Sequence, residues 1–184
     1  MPGRALETLD ASDGELLVRT AVTGRAARMG HRLTIKMNRW HATVRWDGSE
    51  PSAAELTVDV DSLQVLYGEG GVTPLSGPEK GLVRANAIKV LEAARFPHIR
   101  FHTDDIAATS QGYRLDGTLE IHGRSTRRVI EVRVQTLGDS RRMSSQAQVR
   151  QSEFGIKPYS MFMGAMKVAD DVTVSFTAET VDGD

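Results

Sequence analysis

Alternation of apolar and polar residues, repeated along most of the chain, restricts the fold more than any other feature. From Tyr113 the odd positions Tyr113, Leu115, Gly117, Leu119 and Ile121 form one face, with Arg114, Asp116, Thr118, Glu120 and His122 between them. A period of two puts one face of a strand in a core and the other in water. The C-terminal run does the same, with Val172, Val174, Phe176 and Ala178 against Thr173, Ser175, Thr177 and Glu179. Two longer runs change phase once. Leu33, Ile35 and Met37 share a face up to Asn38-Arg39, after which Trp40, Ala42, Val44 and Trp46 take over. Leu56, Val58 and Val60 give way to Leu63 and Val65 near Asp61-Ser62. A shift of one residue predicts a β-bulge within a continuous strand.

The pattern predicts about eight strands, at 15–23, 31–47, 53–66, 97–108, 112–122, 126–137, 141–153 and 171–182. Turn signals lie between several of them: Asp47-Gly48-Ser49-Glu50-Pro51, Ser110-Gln111-Gly112 and Leu137-Gly138-Asp139-Ser140. Connections this short predict antiparallel neighbours in a meander. A helix is expected over 77–94, because Ser76 and Glu79 have capping-box spacing and Pro78 sits in the first turn. Residues 24–30 suit one helical turn, and Phe154 to Asp171 reads as a long loop. Residues 1–14 read as a short flexible leader, and 15–184 as one domain.

Composition narrows the function classes. The 184 residues include no cysteine, which excludes disulfides and thiol chemistry. A formal net charge of -1 argues against a dedicated nucleic-acid binder. The first ten residues hold no apolar run of signal-peptide length, so a cytoplasmic location is expected.

The expected architecture is all-β: an extended eight-stranded antiparallel up-and-down barrel, lipocalin-like, with one or two short helices in loops. Such a barrel is either filled by side chains or holds one small ligand. Gly117, Ala42, Ser145, Ala147 and Ala178 are small residues on inward phases, and aromatics make up only 5% of the chain. This favours a hollow apolar tube. The candidate wall comprises Leu33, Ile35, Trp40, Val44, Val58, Val60, Ile99, Phe101, Leu119, Ile121, Val132, Val134 and Phe176. Met161, Phe162 and Met163 are expected near a mouth, since methionine suits adaptable apolar surfaces. His31 is expected at a barrel end, capping backbone or meeting a ligand head group.

Four segments carry a family resemblance. They are Phe96-Pro97-His98-Ile99-Arg100-Phe101, Leu115 to Gly123 (LDGTLEIHG), Phe154-Gly155-Ile156, and the closing Val-x-Val strand from Val172. In this order and spacing the chain resembles the YceI-like proteins over residues 15–182. The resemblance implies an elongated barrel that binds a polyisoprenoid, an isoprenoid quinone or a fatty-acid derivative, without catalysis or a cofactor. It also implies a homodimer, for which Leu17, Val129 and Leu137 are outward apolar candidates.

Other chemistry has little support. His98 and His102 share a strand face, but four residues along a strand span ~13 Å, too far for one metal ion. His41 and His122 fall on polar phases. Asp59/Asp61, Asp104/Asp105 and Asp170/Asp171 are expected in solvent, with no partner for acid–base work. Arg124 to Arg128 and Arg141-Arg142 read as solvated turns, or as a weak contact with an anionic membrane surface. The alternative to a container is a filled barrel that binds a protein partner through its loops.

Overall fold

The computed structural model describes residues 5–181. The main sheet is antiparallel throughout. Its strands are β1 (Ala5–Asp10), β2 (Gly14–Arg19), β4 (His31–Met37), β5 (Trp40–Asp47), β6 (Glu50–Asp59), β7 (Leu63–Gly70), β8 (His98–Ala108), β9 (Gly112–Ile121), β10 (Arg124–Leu137), β11 (Ser140–Arg150) and β14 (Asp171–Val181). A small second sheet joins β3 (Val22–Thr23), β12 (Ser160–Met161) and β13 (Met166–Val168). The single α-helix among the described residues is α1 (Gly77–Val90).

The main sheet thus has eleven strands where eight were expected, and the difference has a physical cause. The order is β1-β5-β6-β8-β9-β10-β11-β14-β2-β4-β7. Three chain segments contribute one strand near each end of this order: β1 and β2, β4 and β5, β6 and β7. The links between them are only residues 11–13, 38–39 and 60–62. The two ends of the sheet are therefore tied together three times by short stretches of chain, so the sheet curls back on itself. The phase shifts at Asn38-Arg39 and Asp61-Ser62 are accordingly not bulges within one ladder. They are points where a segment leaves one neighbour and takes another. Residues 5–10, expected as leader, form β1 against β5 with Leu9 buried.

The two breaks lie side by side and satisfy each other's backbone. Asn38 N donates to Ser62 O (3.2 Å) and Asp59 N to Arg39 O (3.0 Å). Ser62 Oγ donates to Asp59 O (2.7 Å). Arg39 pairs with Asp59 (3.1 Å) and Asp61 (2.6 Å), so the two carboxylates expected to be merely solvated hold the corner. Arg84 of α1 donates to Leu63 O (2.8 Å) and to Asp61 O. Carbonyls that a broken ladder would orphan are thereby paired. The helix begins at the expected capping box, where Ser76 N donates to the Glu79 carboxylate (2.7 Å) and Glu79 N to Ser76 Oγ (3.3 Å).

The two ends of the curled sheet differ. The β5–β6, β8–β9 and β10–β11 hairpins all lie at one end, hereafter the hairpin end. The other end, hereafter the helix end, is plugged. Val83, Ala87, Ile88 and Leu91 pack onto a core of Ile35, Met37, Trp40, Val58, Leu63 and Val65. Beside it Phe154, 0% exposed, packs with Ile156, Val149, Leu119 and Ile121. Phe154 is delivered by a tight turn (Gln151–Phe154) that ends on Gly155 at φ 66°, a conformation that favours glycine. Asp170 accepts from Ser152 N (2.8 Å) and Ser152 Oγ (2.5 Å), and His122 Nδ1 donates to Phe154 O (3.1 Å). His122 thus sits in the β9–β10 turn and serves the plug, not the outer polar face.

Two outcomes follow for the plug. Phe154→Ala should cost about 3–5 kcal/mol, read from urea unfolding curves. The Ser152 hydroxyl and amide hold the Asp170 carboxyl below the usual carboxylate range. A depressed value stabilises the fold fully above the unfolded value, and the gain is lost as pH falls through the folded one. Asp170→Asn should therefore lower Tm at neutral pH, and its gap to wild type should close only below about pH 4.

Candidate functional site

The inward phases do not fill the curled sheet evenly. Towards the helix end they are large. Trp40 meets Phe176 edge-on, with ring centroids 5.2 Å apart and planes at 72°. Midway along the strands they shrink to Ala42 on β5 and Ser145 and Ala147 on β11, below Trp46, Arg141 and Met143 at the hairpin end. Small side chains on facing strands leave space that close packing elsewhere does not supply. The result is an apolar cavity of about 220 Å³, walled by Leu56, Phe101, Leu115, Ile130, Val132 and Val174 among others. The interior is therefore solid at the helix end and hollow at the hairpin end.

One close approach keeps the wall tight. β8 carries a register shift between His102 and Asp105, and Thr103 Oγ1 donates to Asp116 O (2.6 Å) while accepting from Asp105 N (3.0 Å). Gly117 lies opposite. A Cβ there would stand 2.4 Å from His102 O and 2.8 Å from the Phe101 ring, so only glycine lets Phe101 close the wall.

The mouth at the hairpin end is polar. Arg141 shares the inward phase of Met143, Ser145 and Ala147. Its Nη2 donates to both Glu7 oxygens (3.1 and 3.3 Å), and its guanidinium carbon lies 5.0 Å from the Trp46 ring centroid. Both ion-pair side chains are mostly covered. Arg141 is thus not a solvated turn residue. Arg142, one position on, is the exposed member and pairs with Glu179 (3.2 Å).

The predicted wall residues divide between the two halves. Val44, Phe101, Val132, Val134 and Phe176 line the cavity. Leu33, Ile35, Trp40, Val58, Ile99, Leu119 and Ile121 belong to the solid half. Val60 is buried in the turn at 60–62, where its amide donates to Pro97 O (2.9 Å). Met161 at the end of β12 and Phe162 and Met163 in the turn between β12 and β13 are exposed, away from the cavity, and Met163 is fully in solvent. The cavity therefore reaches the hairpin end, not the 154–171 loop. His31 donates to Thr73 O (2.7 Å), its ring against Gly68 and Gly71, and pins the loop after β7. Glu7, Trp46 and Arg141 were missing from the predicted site. Their signal was an inward phase, hidden for Glu7 by its place in the presumed leader.

A larger hollow of about 550 Å³ lies on the outer face, among Arg45, Glu55, His102, Asp104, Asp116 and Arg127. It is an open charged groove. Within it Glu55 pairs with Arg100 (2.7 Å) and Asp116 with Arg127. The Arg127 guanidinium holds the Asp116 carboxyl below the usual range.

Filling the cavity separates packing from binding. Ala147→Leu should leave the far-UV circular dichroism unchanged and raise or hold Tm, because the new atoms enter empty apolar space instead of an overpacked core.

The described geometry can be set beside known proteins. Among curated proteins no match is found. The solved structure of BcnA from Burkholderia cenocepacia superposes with a TM-score of 0.69 at 17% identity, covering 94% of this chain and 99% of that one. The Campylobacter jejuni YCEI protein, which crystallizes with large solvent channels, gives 0.60 at 14% identity over 82% and 85%. These likenesses concern the fold. The family model described as the YceI-like domain matches residues 9–180, and the chain belongs to that family.

Proposed function

We propose that the protein is a non-enzymatic container for the tail of an apolar amphiphile, held in the hairpin-end cavity. The observation that carries this reading is an empty hydrocarbon-lined space, open at one end, in a sheet whose other end is sealed. Family membership supports the same class of ligand: a polyisoprenoid, an isoprenoid quinone or a fatty-acid derivative.

The volume limits how much chain enters. A dry cavity of ~150 Å³ takes up benzene. On that scale about 220 Å³ corresponds to roughly nine carbons. Burying nine methylenes at ~0.8 kcal/mol each offers ~7 kcal/mol before ordering costs. A longer isoprenoid would seat one end and leave the remainder outside the mouth.

A second reading has one observation in its favour. Phe162 and Met163 are exposed, and both hold left-handed backbone without being glycine (φ 53° and 56°). Strain of this kind collects at functional positions. It suits a contact of this loop with another molecule, in a protein whose barrel is only a scaffold.

Native mass spectrometry decides between them. The purified protein, incubated with an isoprenoid alcohol, an isoprenoid quinone and a fatty-acid amide, should carry one molecule of at least one class. Ligand at 100 times its Kd should stabilise the fold by about 2.7 kcal/mol. Ala147→Phe should abolish the adduct while circular dichroism stays native. A bare mass with all three compounds overturns the container reading in favour of the loop contact.

A further inference from the structure

The mouth of the cavity holds more unpaired polar atoms than any other part of the described molecule. Five buried side-chain nitrogen or oxygen atoms lack a hydrogen-bond partner among the described residues: those of Trp40, Trp46, Thr126, Arg141 and Thr180. Three of the five belong to the hairpin end. Trp46 and Arg141 line the cavity, and Thr180 is the register partner of Arg141 across β11 and β14. Buried donors are normally paired, so a cluster of unpaired ones in one place calls for an explanation. A hydroxyl can rotate to donate or accept. Trp46 Nε1 and Arg141 Nε can only donate.

We propose that this cluster is a head-group site for a neutral hydrogen-bond acceptor: a ketone, quinone, amide or ester carbonyl. The inference rests on the container reading and names the ligand's polar end. Two donors point to an acceptor atom. Its charge follows from Glu7. The Arg141 guanidinium is already neutralised by that carboxylate at 3.1 Å, and no other lysine, arginine or histidine lines the cavity. An anionic head would meet the Glu7 carboxylate with no uncompensated cation to hold it. A cationic head would meet the Arg141 guanidinium. A carbonyl oxygen meets neither penalty and offers these N–H groups the acceptor they lack among the described residues, where leaving a buried donor unpaired is costly. The tail then runs inward past Val134 and Met143 towards Phe176.

The test uses three probes that share a chain length the cavity accommodates: 2-octanone, octanoate and octane. Binding to the full chain is followed at pH 8 through the methyl resonance of Met143, which lines the cavity. In wild type, 2-octanone should bind at least tenfold more tightly than octanoate. Trp46→Phe should weaken 2-octanone at least fivefold and change octane less than twofold. Glu7→Gln, which frees the guanidinium charge, should tighten octanoate at least tenfold. Octanoate binding as well as the ketone in wild type overturns the neutral-head assignment. So does an equal loss of ketone and octane in Trp46→Phe, and in both cases the container reading survives. Failure of all three probes to bind wild type overturns both.

Discussion

The corner formed by Asn38-Arg39 and residues 60–62 is the constraint on which the rest depends. A sheet that curls back on itself needs its segments to change partners partway along. Each change releases backbone groups that a continuous ladder would have paired. Here the two breaks are adjacent, so the groups freed by one serve the other, and the remaining carbonyls are taken by Arg84 from α1. Closure of the sheet and docking of the helix therefore share one set of hydrogen bonds. Arg39, bridging Asp59 and Asp61, adds electrostatic support that is modest at an exposed position. Its larger effect is geometric, because it holds two turns of the chain in a single arrangement.

That arrangement determines which half of the interior is filled. Once α1 is held over the corner, its apolar residues and the Phe154 turn close the helix end, and the large inward side chains beneath them pack to interior density. Nothing comparable covers the hairpin end. Its connections are short turns at Gly48 and Gly138, with too few residues to fold inward. The inward residues below the mouth include Ala42, Ser145 and Ala147, which cannot reach across the sheet. The hollow thus follows from topology and side-chain size together. Changing either alone would remove it.

The sequence analysis recovers these features unequally. Strand positions from residue 97 onward, the capped helix and the small inward residues are legible, because alternation and capping are local signals. The strand count is not. A phase shift looks the same whether a strand bulges or changes partner, and only the pairing distinguishes the two. The predicted wall divides between the two halves of the interior for the same reason. Trp40, Val58 and Leu119 share the inward phase with Val44, Phe101 and Val132, and a period of two gives the face of a residue but not its height along the barrel. Met161 to Met163 mislead because adaptability at a mouth and simple exposure have one composition. Arg141 is misread beside Arg142 as part of a basic run, although alternation had already separated them onto opposite faces.

The ion pair at the mouth fits poorly with a purely structural role. A covered arginine–glutamate pair gains attraction but loses hydration on both partners, and apolar substitutes of similar size are often as stable or more so. Stability alone therefore gives little reason to place Arg141 and Glu7 over an apolar hollow, with the Nε–H of the arginine and the indole N–H of Trp46 left without acceptors. Glu7 also lies on β1, the edge strand, held in the sheet by β5 alone. The least supported strand thus contributes one half of the polar mouth. A group that bridges Trp46 and Arg141 would add a contact across the mouth beside that strand, linking occupation of the cavity to closure of its rim.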